Sequence, residues 1–393
     1  ILVINAGSSS IKTVLYNARE GALERALVCS ATNIGQERAS IDVVHSGEKS
    51  SMQSLLLSHS SALSTILATI GHYQPVNTID VIAYRVVYGG ATYHEPTDIT
   101  DQVEDDLAAF ADIDPEHAPI SHAIIKTLRQ RLPDVRHVAC FDTAFFHDIP
   151  EVAQIVPIPR QYREKGIRRY GYHGLSYDYL ADTFQTVAGE SARRGRVIYA
   201  HLGSGASMAA TLDGKPIDMT MGLTPTSGLV MGSRTGDIDP SLAWILANEA
   251  GVSLDDYQQM INHESGLLAV SELSSDMYTL LQNEATNPQA ALAVELFCYQ
   301  ARKAIGALAT TIGGLDSLIF SGGMGEQAPE IRRRICDGLA FLGVSIDHNA
   351  NERHDLLISA PGSQVGVHVI PTDESLSIAR SVISMNSTTK DTP

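Results

Sequence analysis

Residues 4–16 read INAGSSSIKTVLY: an apolar run that breaks into a glycine and three serines, then resumes with Lys12 and further apolar residues. A strand ending in a small polar turn presents backbone N–H groups on a fixed frame, a geometry that holds phosphate. Lys12, enclosed by apolar neighbours, reads as a buried-looking cation. Two later stretches repeat the pattern, YAHLGSGAS at 199–207 and LIFSGGMGEQAPEI at 318–331. In the latter, Pro329 suits the first turn of a helix over PEIRRRICDGLAFLG, which Gly343 is expected to stop. No stretch matches GxxxxGK[ST], and no GxGxxG opens a βαβ unit near the start, so P-loop and Rossmann readings are disfavoured. Another phosphate-binding α/β architecture is wanted.

Apolar β-branched runs at Ile1 to Ile4, Val81 to Val87, His137 to Phe141, Val197 to His201 and Ser317 to Phe320 alternate with helix-like stretches such as SALSTILATI, HAIIKTLRQRL and ALAVELFCYQARKAIGALATTI. That alternation predicts an α/β class with largely parallel central strands. At 393 residues the chain exceeds one ordinary core, so two domains are expected. Its 44% hydrophobic content excludes disorder. A net charge of −17 disfavours nucleic acid and anionic membrane as partners, and any bound anion must meet local positive groups. No apolar stretch suits a membrane span and no export leader is expected. Cys29, Cys140, Cys298 and Cys336 are scattered without a CxxC pair, which fits a reducing cytoplasm and neither a disulfide framework nor zinc. The histidines, among them His94, His117, His122, His147 and His263, lack metal-ligand spacing.

Four polar residues stand out. Arg85 lies in AYRVVYGG, within an otherwise apolar strand, where an unpaired guanidinium is costly and calls for a partner or an anion. Arg234 lies in the polar stretch MGSRTGDIDP. Asp142 directly follows the strand HVACF, at the carboxyl end where ligands of open α/β sheets gather. His173 sits between glycines in RRYGYHGLS. Read singly, each also has a bland role: an ion pair for Arg85, a solvated charge for Arg234, a packing contact for His173. There is no GxSxG elbow, and Cys140 lies inside an apolar strand, so serine and cysteine nucleophiles are disfavoured.

Taken in order, INAGSSSIK, YRVVYGG, CFDTAF, RYGYHGLSY, HLGSGAS, MGLTPTSGLVMGSRTGDIDP, SGLL, SSDM, FSGGMGE, GLAFLGV and IPTDES resemble the acetate kinase family, from Asn5 to Glu374. The long segment from Met221 to Pro240 is the most specific. The resemblance implies two related α/β domains of the actin-like, ribonuclease-H-like fold around a nucleotide cleft. The first would span 1–145, completed by a terminal helix over 374–393, and the second 146–373. It further implies a homodimer and reversible transfer of the ATP γ-phosphoryl group to acetate, giving acetyl phosphate and ADP, with Mg²⁺ or with Mn²⁺ in its place. By this resemblance Asn5 and Glu374 hold the metal, while Ser8, Ser10 and Lys12 meet phosphate. His201, Leu202, Gly203, Ser204 and Gly205 form a second phosphate turn. Asp276, Met277 and Tyr278 with Gly323, Met324, Gly325, Glu326 and Gln327 form the adenosine pocket. Val87, Ile120, Tyr172 and Pro225 surround the acceptor's methyl group.

The chemistry agrees with these residue types. A short carboxylic acid has a pKa near ~4.3 and is already an anion at neutral pH, so no base is needed to make the nucleophile. The obstacle is one anion approaching another, worth on the order of 4 kcal/mol at ~4 Å and an effective dielectric of ~20. Arg85 and Arg234 suit that task as planar forks, with His173 donating to the phosphoryl group. Asp142 reads better as an orienting carboxylate, although the resemblance also labels it a catalytic acid or base. Tyr88, Ser121, Ser204 and Tyr278 depart from the family pattern, which has His, His, Asn and Arg there. Propionate or butyrate kinase and a pyrophosphate-dependent acetate kinase are the alternatives within the class. A nucleotide-binding sensor or scaffold without turnover is the alternative outside it.

Overall fold

The computed structural model describes residues 1–19 and 21–388; residues 389–393 of the expected terminal helix lie outside them. The chain divides into two compact units, one of Ile1–Ala144 with the chain from Asp373 onward, the other of Phe145–Thr372.

The first unit holds an eight-stranded sheet built from β1 (Leu2–Gly7), β2 (Ser10–Arg19), β3 (Ala22–Thr32), β4 (Ser40–His45), β5 (Glu48–Gln53), β6 (Val81–Val86), β7 (Thr97–Asp98) and β8 (Arg136–Phe141), ordered β5-β4-β3-β2-β1-β6-β8-β7. β1, β6 and β8 run parallel, whereas β1 to β5 form an antiparallel meander. Leu2, Ile4, Ile11, Ile82 and Phe141 bury against the helices His59–Tyr73 and Ala118–Arg131. The helix Glu374–Thr388 packs on β1, β6 and β8.

The second unit carries a five-stranded sheet of β9 (Val197–Leu202), β10 (Ala206–Leu212), β11 (Lys215–Met219), β12 (Ser317–Ser321) and β13 (Gly366–Val369), ordered β11-β10-β9-β12-β13. β9, β12 and β13 are parallel and β9, β10 and β11 antiparallel. The stretch β3-β2-β1-β6-β8 of the first sheet has the same order and directions, so the two units share one plan. Both are mixed α/β layers in which a parallel trio aligns its carboxyl ends.

Two local expectations need correction. Lys12 is exposed, because it alternates on β2 with the buried Ile11 and Thr13 and so faces away from the core. The helix from Pro329 ends at Asp337 rather than running to Gly343. Leu339, 1% exposed, turns into the core with its N–H bonded to Cys336 O at 2.8 Å, and Gly343 closes only the short turn Ala340–Leu342.

Two buried imidazoles tie stability to pH. His137 donates from Nε2 to Leu132 O at 3.1 Å and accepts the Tyr84 hydroxyl on Nδ1 at 2.7 Å, so its neutral form is the one accommodated. Burial holds both His137 and His368 below 6.5. Unfolding restores the ordinary value, so the unfolded chain takes up protons first and stability declines as pH falls below about 6.5. Thermal melts of wild type and of His137→Gln/His368→Gln across that range should show a shallower decline in the variant; equal declines would remove these groups as the cause.

Candidate functional site

In the first unit, register assembles the polar cluster. Ile4 pairs with Tyr84 and Arg85 with Cys140, so Asn5 and Arg85 are neighbours on adjacent parallel strands, and Asp142 lies two residues past Cys140 on the same face. Arg85 donates from Nε to both Asp142 oxygens, at 3.2 and 3.0 Å, from Nη2 to Oδ2 at 2.5 Å, and from Nη1 to Asn5 Oδ1 at 3.1 Å. Asn5 Nδ2 donates to Glu374 Oε2 at 2.8 Å, and that oxygen is 3.8 Å from Arg85 Nε. Asp142 is fully buried. Burial alone would lower the Arg85 pKa, but the charges of Asp142 and Glu374 outweigh it and keep the guanidinium protonated. Burial pushes the Asp142 carboxyl up, against the pull of Arg85. A guanidinium has five N–H groups. With Nε–H, one Nη1 hydrogen and one Nη2 hydrogen committed, one on each terminal nitrogen is left for an anion.

The other first-unit candidates lie near this cluster in the chain. Ser8 and Lys12 are exposed and Ser10 is half-buried at the β1–β2 turn. Val87 is buried just past β6, and Ile120 packs partly buried on the first core. Behind Val87 a small cavity of about 10 Å³, lined by Tyr88, Asp114, Ser121 and His122, has room for about one water. Asn5 and Glu374 supply oxygen donors, which suits a hard cation that keeps several waters. Among the described residues, no group of three or more His, Cys, Asp or Glu forms a metal cage.

In the second unit, His173 takes a left-handed backbone, φ 61°, just before the helix Gly174–Ala188. Gly171 precedes it at φ 74°, where a Cβ would lie 2.4 Å from the Phe146 ring, so only glycine allows this turn. The His173 and His201 rings stack with centroids 4.4 Å apart. His173 Nδ1 meets Ser207 Oγ at 2.8 Å; His201 Nδ1 meets Ser176 Oγ at 2.8 Å. Gly205 locates the opposite edge of the His173 ring. A Cβ there would lie 3.4 Å from His173 Nε2 and 3.7 Å from Arg234 Nη1, so an imidazole nitrogen and a guanidinium nitrogen both come near one point at the β9–β10 turn. Arg234 Nη1 also donates to Pro225 O at 3.4 Å, and the buried Tyr172 donates its hydroxyl to Leu223 O.

Beside that turn opens a cavity of about 560 Å³. Gly203, Ser204, Asp276, Met277, Tyr278, Gly323, Met324 and Gln327 line it. Gly322, at φ 76°, lets this turn approach the β9 end, since a Cβ there would be 2.8 Å from the Leu202 backbone. Of the expected adenosine pocket Gly325 and Glu326, and of the expected phosphate turn His201, Leu202 and Gly205, are not among the cavity's lining residues. Leu202 faces the core, Gly325 is buried, and Glu326 folds back to accept the N–H groups of Gly322 at 2.9 Å and Thr372 at 3.1 Å. Gln282 and Glu330 line it unforeseen, Gln282 from a helix without a phosphate-turn pattern and Glu330 from the first turn of the helix that follows the glycine turn. Ser207, two residues past Gly205, was overlooked because small residues in a strand read as packing.

Comparison with known proteins adds independent findings. Residues 1–380 match the model of the acetokinase family. An acetate kinase of Rhodopseudomonas palustris (strain TIE-1) is 43% identical over 389 residues, 97% of each chain. A propionate kinase of Citrobacter rodentium is 40% identical over 390 residues, 98% of this chain and 96% of that one. The crystal structure of Porphyromonas gingivalis acetate kinase superimposes with a TM-score of 0.86 at 32% identity, covering 98% of this chain and 99% of that one.

Proposed function

Because the chain belongs to the acetokinase family, with the actin-like ATPase fold, we propose that it is an acetate kinase, transferring the ATP γ-phosphoryl group reversibly to acetate to give acetyl phosphate and ADP. The observation that carries this reading is the convergence of His173 Nε2 and Arg234 Nη1 beside Gly205, next to a cavity of about 560 Å³. That volume suits a nucleoside, and far exceeds what pyrophosphate alone would fill. In this reading the nucleotide lies along Asp276 to Tyr278 and Gly323, Met324 and Gln327, with its phosphates at the Gly203 to Gly205 turn.

The acceptor is assigned to Arg85, whose two remaining N–H groups form a fork for a carboxylate. Asp142 orients that fork and acts as neither acid nor base, since acetate arrives ionised. Ser8, Ser10 and Lys12 meet phosphate oxygens. Mg²⁺, or Mn²⁺ in its place, would be held through Asn5 and Glu374 and would offset phosphate charge. His173 and Arg234 donate to the equatorial oxygens of a direct in-line transfer, where charge collects.

The test supplies ATP or pyrophosphate with Mg²⁺ and acetate, propionate or butyrate, and traps acyl phosphate with hydroxylamine. Acyl hydroxamate from acetate and ATP is the expected product; none from any acid or donor would sink the proposal. A propionate kinase is the second reading, because a relative of that name is 40% identical. Val87, Ile120, Tyr172 and Pro225 are assigned to the acceptor's methyl group. One methylene is worth roughly 1–3 kcal/mol, so Val87→Ala should improve propionate relative to acetate by about tenfold in kcat/KM. An unchanged ratio would remove Val87 from that role.

We also propose a homodimer joined through the helix Leu242–Ala250. It is apolar yet buries no residue, and Trp244 is 70% exposed. Trp244→Glu should sediment as a monomer; unchanged sedimentation would exclude this face. No helix among the described residues is long and apolar enough to cross a membrane. All four cysteines are buried free thiols, which suits a reducing compartment, proposed as the cytoplasm. A disulfide in the protein isolated from cells would argue against it.

A further inference from the structure

The phosphotransfer reading needs His173 to present a proton, not a lone pair, to an anionic phosphoryl group. A neutral imidazole can carry its proton on either nitrogen, and the partner of one nitrogen decides what the other offers. In this chain that partner is Ser207 Oγ, 2.8 Å from Nδ1. Ser207 is 1% exposed, and its Oγ also shares a hydrogen bond with the hydroxyl of Tyr177, itself fully buried. Tyr177 is placed by the helix Gly174–Ala188, in whose first turn its N–H bonds to His173 O at 3.0 Å. Helical spacing therefore brings the phenol and the imidazole to the same serine on β10.

We infer that Tyr177 and Ser207 are positioning residues that hold His173 as the neutral tautomer with its proton on Nε2, an inference that rests on the phosphotransfer reading above. Direction follows from donor strength. A buried phenol must place its proton, and with a pKa of ~10 it is a stronger donor than an aliphatic alcohol. Tyr177 donates to Ser207 Oγ. Ser207 then has one proton of its own, which goes to His173 Nδ1. Nδ1 becomes the acceptor and the proton stays on Nε2, the ring nitrogen 3.4 Å from the spot beside Gly205 that lies 3.7 Å from Arg234 Nη1. The reverse direction would leave a bare Nε2 lone pair against phosphoryl oxygens.

The experiment is nitrogen-15 NMR of protein labelled at histidine, with the His173 signals identified by their loss in His173→Gln. Wild type at neutral pH should show the Nε2–H tautomer, and Ser207→Ala should lose that preference. In the acyl hydroxamate assay Ser207→Ala should lower kcat about tenfold to a hundredfold with KM for acetate unchanged, as supporting partners typically do. Ser207→Thr, which keeps the hydroxyl, should recover most of the activity. An Nδ1–H tautomer or an imidazolium in wild type would overturn the inference, as would a Ser207→Ala protein with wild-type tautomer and kcat. Should Ser207→Ala fail to fold, the wild-type spectrum and Ser207→Thr decide. Absence of acyl phosphate from wild type would defeat the kinase reading instead, and the spectrum would still settle the tautomer.

Discussion

Arg85→Ala is expected to lower kcat for acetyl phosphate formation by about 10³ and to destabilise the fold by about 3–5 kcal/mol. The activity loss follows from removing the fork proposed to hold the carboxylate. The stability loss has a separate origin, because Asp142 is fully buried and its three hydrogen bonds in this cluster come from Arg85. Without them burial and the nearby Glu374 charge both disfavour the carboxylate, which takes up a proton or drags in water. Arg85→Ala/Asp142→Asn separates the two effects. Its urea midpoint should recover toward wild type, since no unpaired charge remains buried, while its kcat stays low. A single Arg85→Ala enzyme with near-normal turnover would remove Arg85 from the acceptor site. Arg85→Lys should remain poor, because an ammonium cannot serve Asp142, Asn5 and an anion with a planar fork.

The second large effect is expected at Arg234. Removing an arginine that faces the charge of a transferring phosphoryl group costs about 10³–10⁵ in kcat where such a residue operates, so Arg234→Ala should leave barely measurable hydroxamate. Nucleotide binding, read by calorimetry with ADP, should change little, because Arg234 does not line the cavity assigned to the nucleoside. Gly205→Ala probes the same spot without touching a charge. Its methyl would sit 3.4 Å from His173 Nε2 and 3.7 Å from Arg234 Nη1, within ordinary packing distance, so folding should survive. The methyl would occupy space beside both nitrogens, and kcat should fall about a hundredfold, the scale set by displacing a preorganised donor. Full turnover in Gly205→Ala would place the transferring group elsewhere.

The acetokinase family and the α/β class were legible in the sequence, because each rests on local order. The run MGLTPTSGLVMGSRTGDIDP identifies itself, and the strands at Val81, His137, Val197 and Ser317 announce themselves by apolar β-branched composition between turn residues. Tertiary structure alone decided the partners. Arg85 meets Asp142 across 57 residues and Asn5 meets Glu374 across 369, distances over which no periodicity carries information. Parallel register sets Asn5, Arg85 and Asp142 in one row, and the packing of the last helix brings Glu374 to it. Lys12 looked buried because its neighbours are apolar, yet strand alternation turned it to solvent. Glu326 lay in a glycine-rich turn that promised a ligand, but two backbone N–H groups claimed its carboxylate. Ser207 became notable only when folding carried Tyr177 and His173 to it. Sequence patterns report which face of an element is apolar. Which polar group completes another's hydrogen bonds depends on how distant elements pack, and only the folded chain contains that.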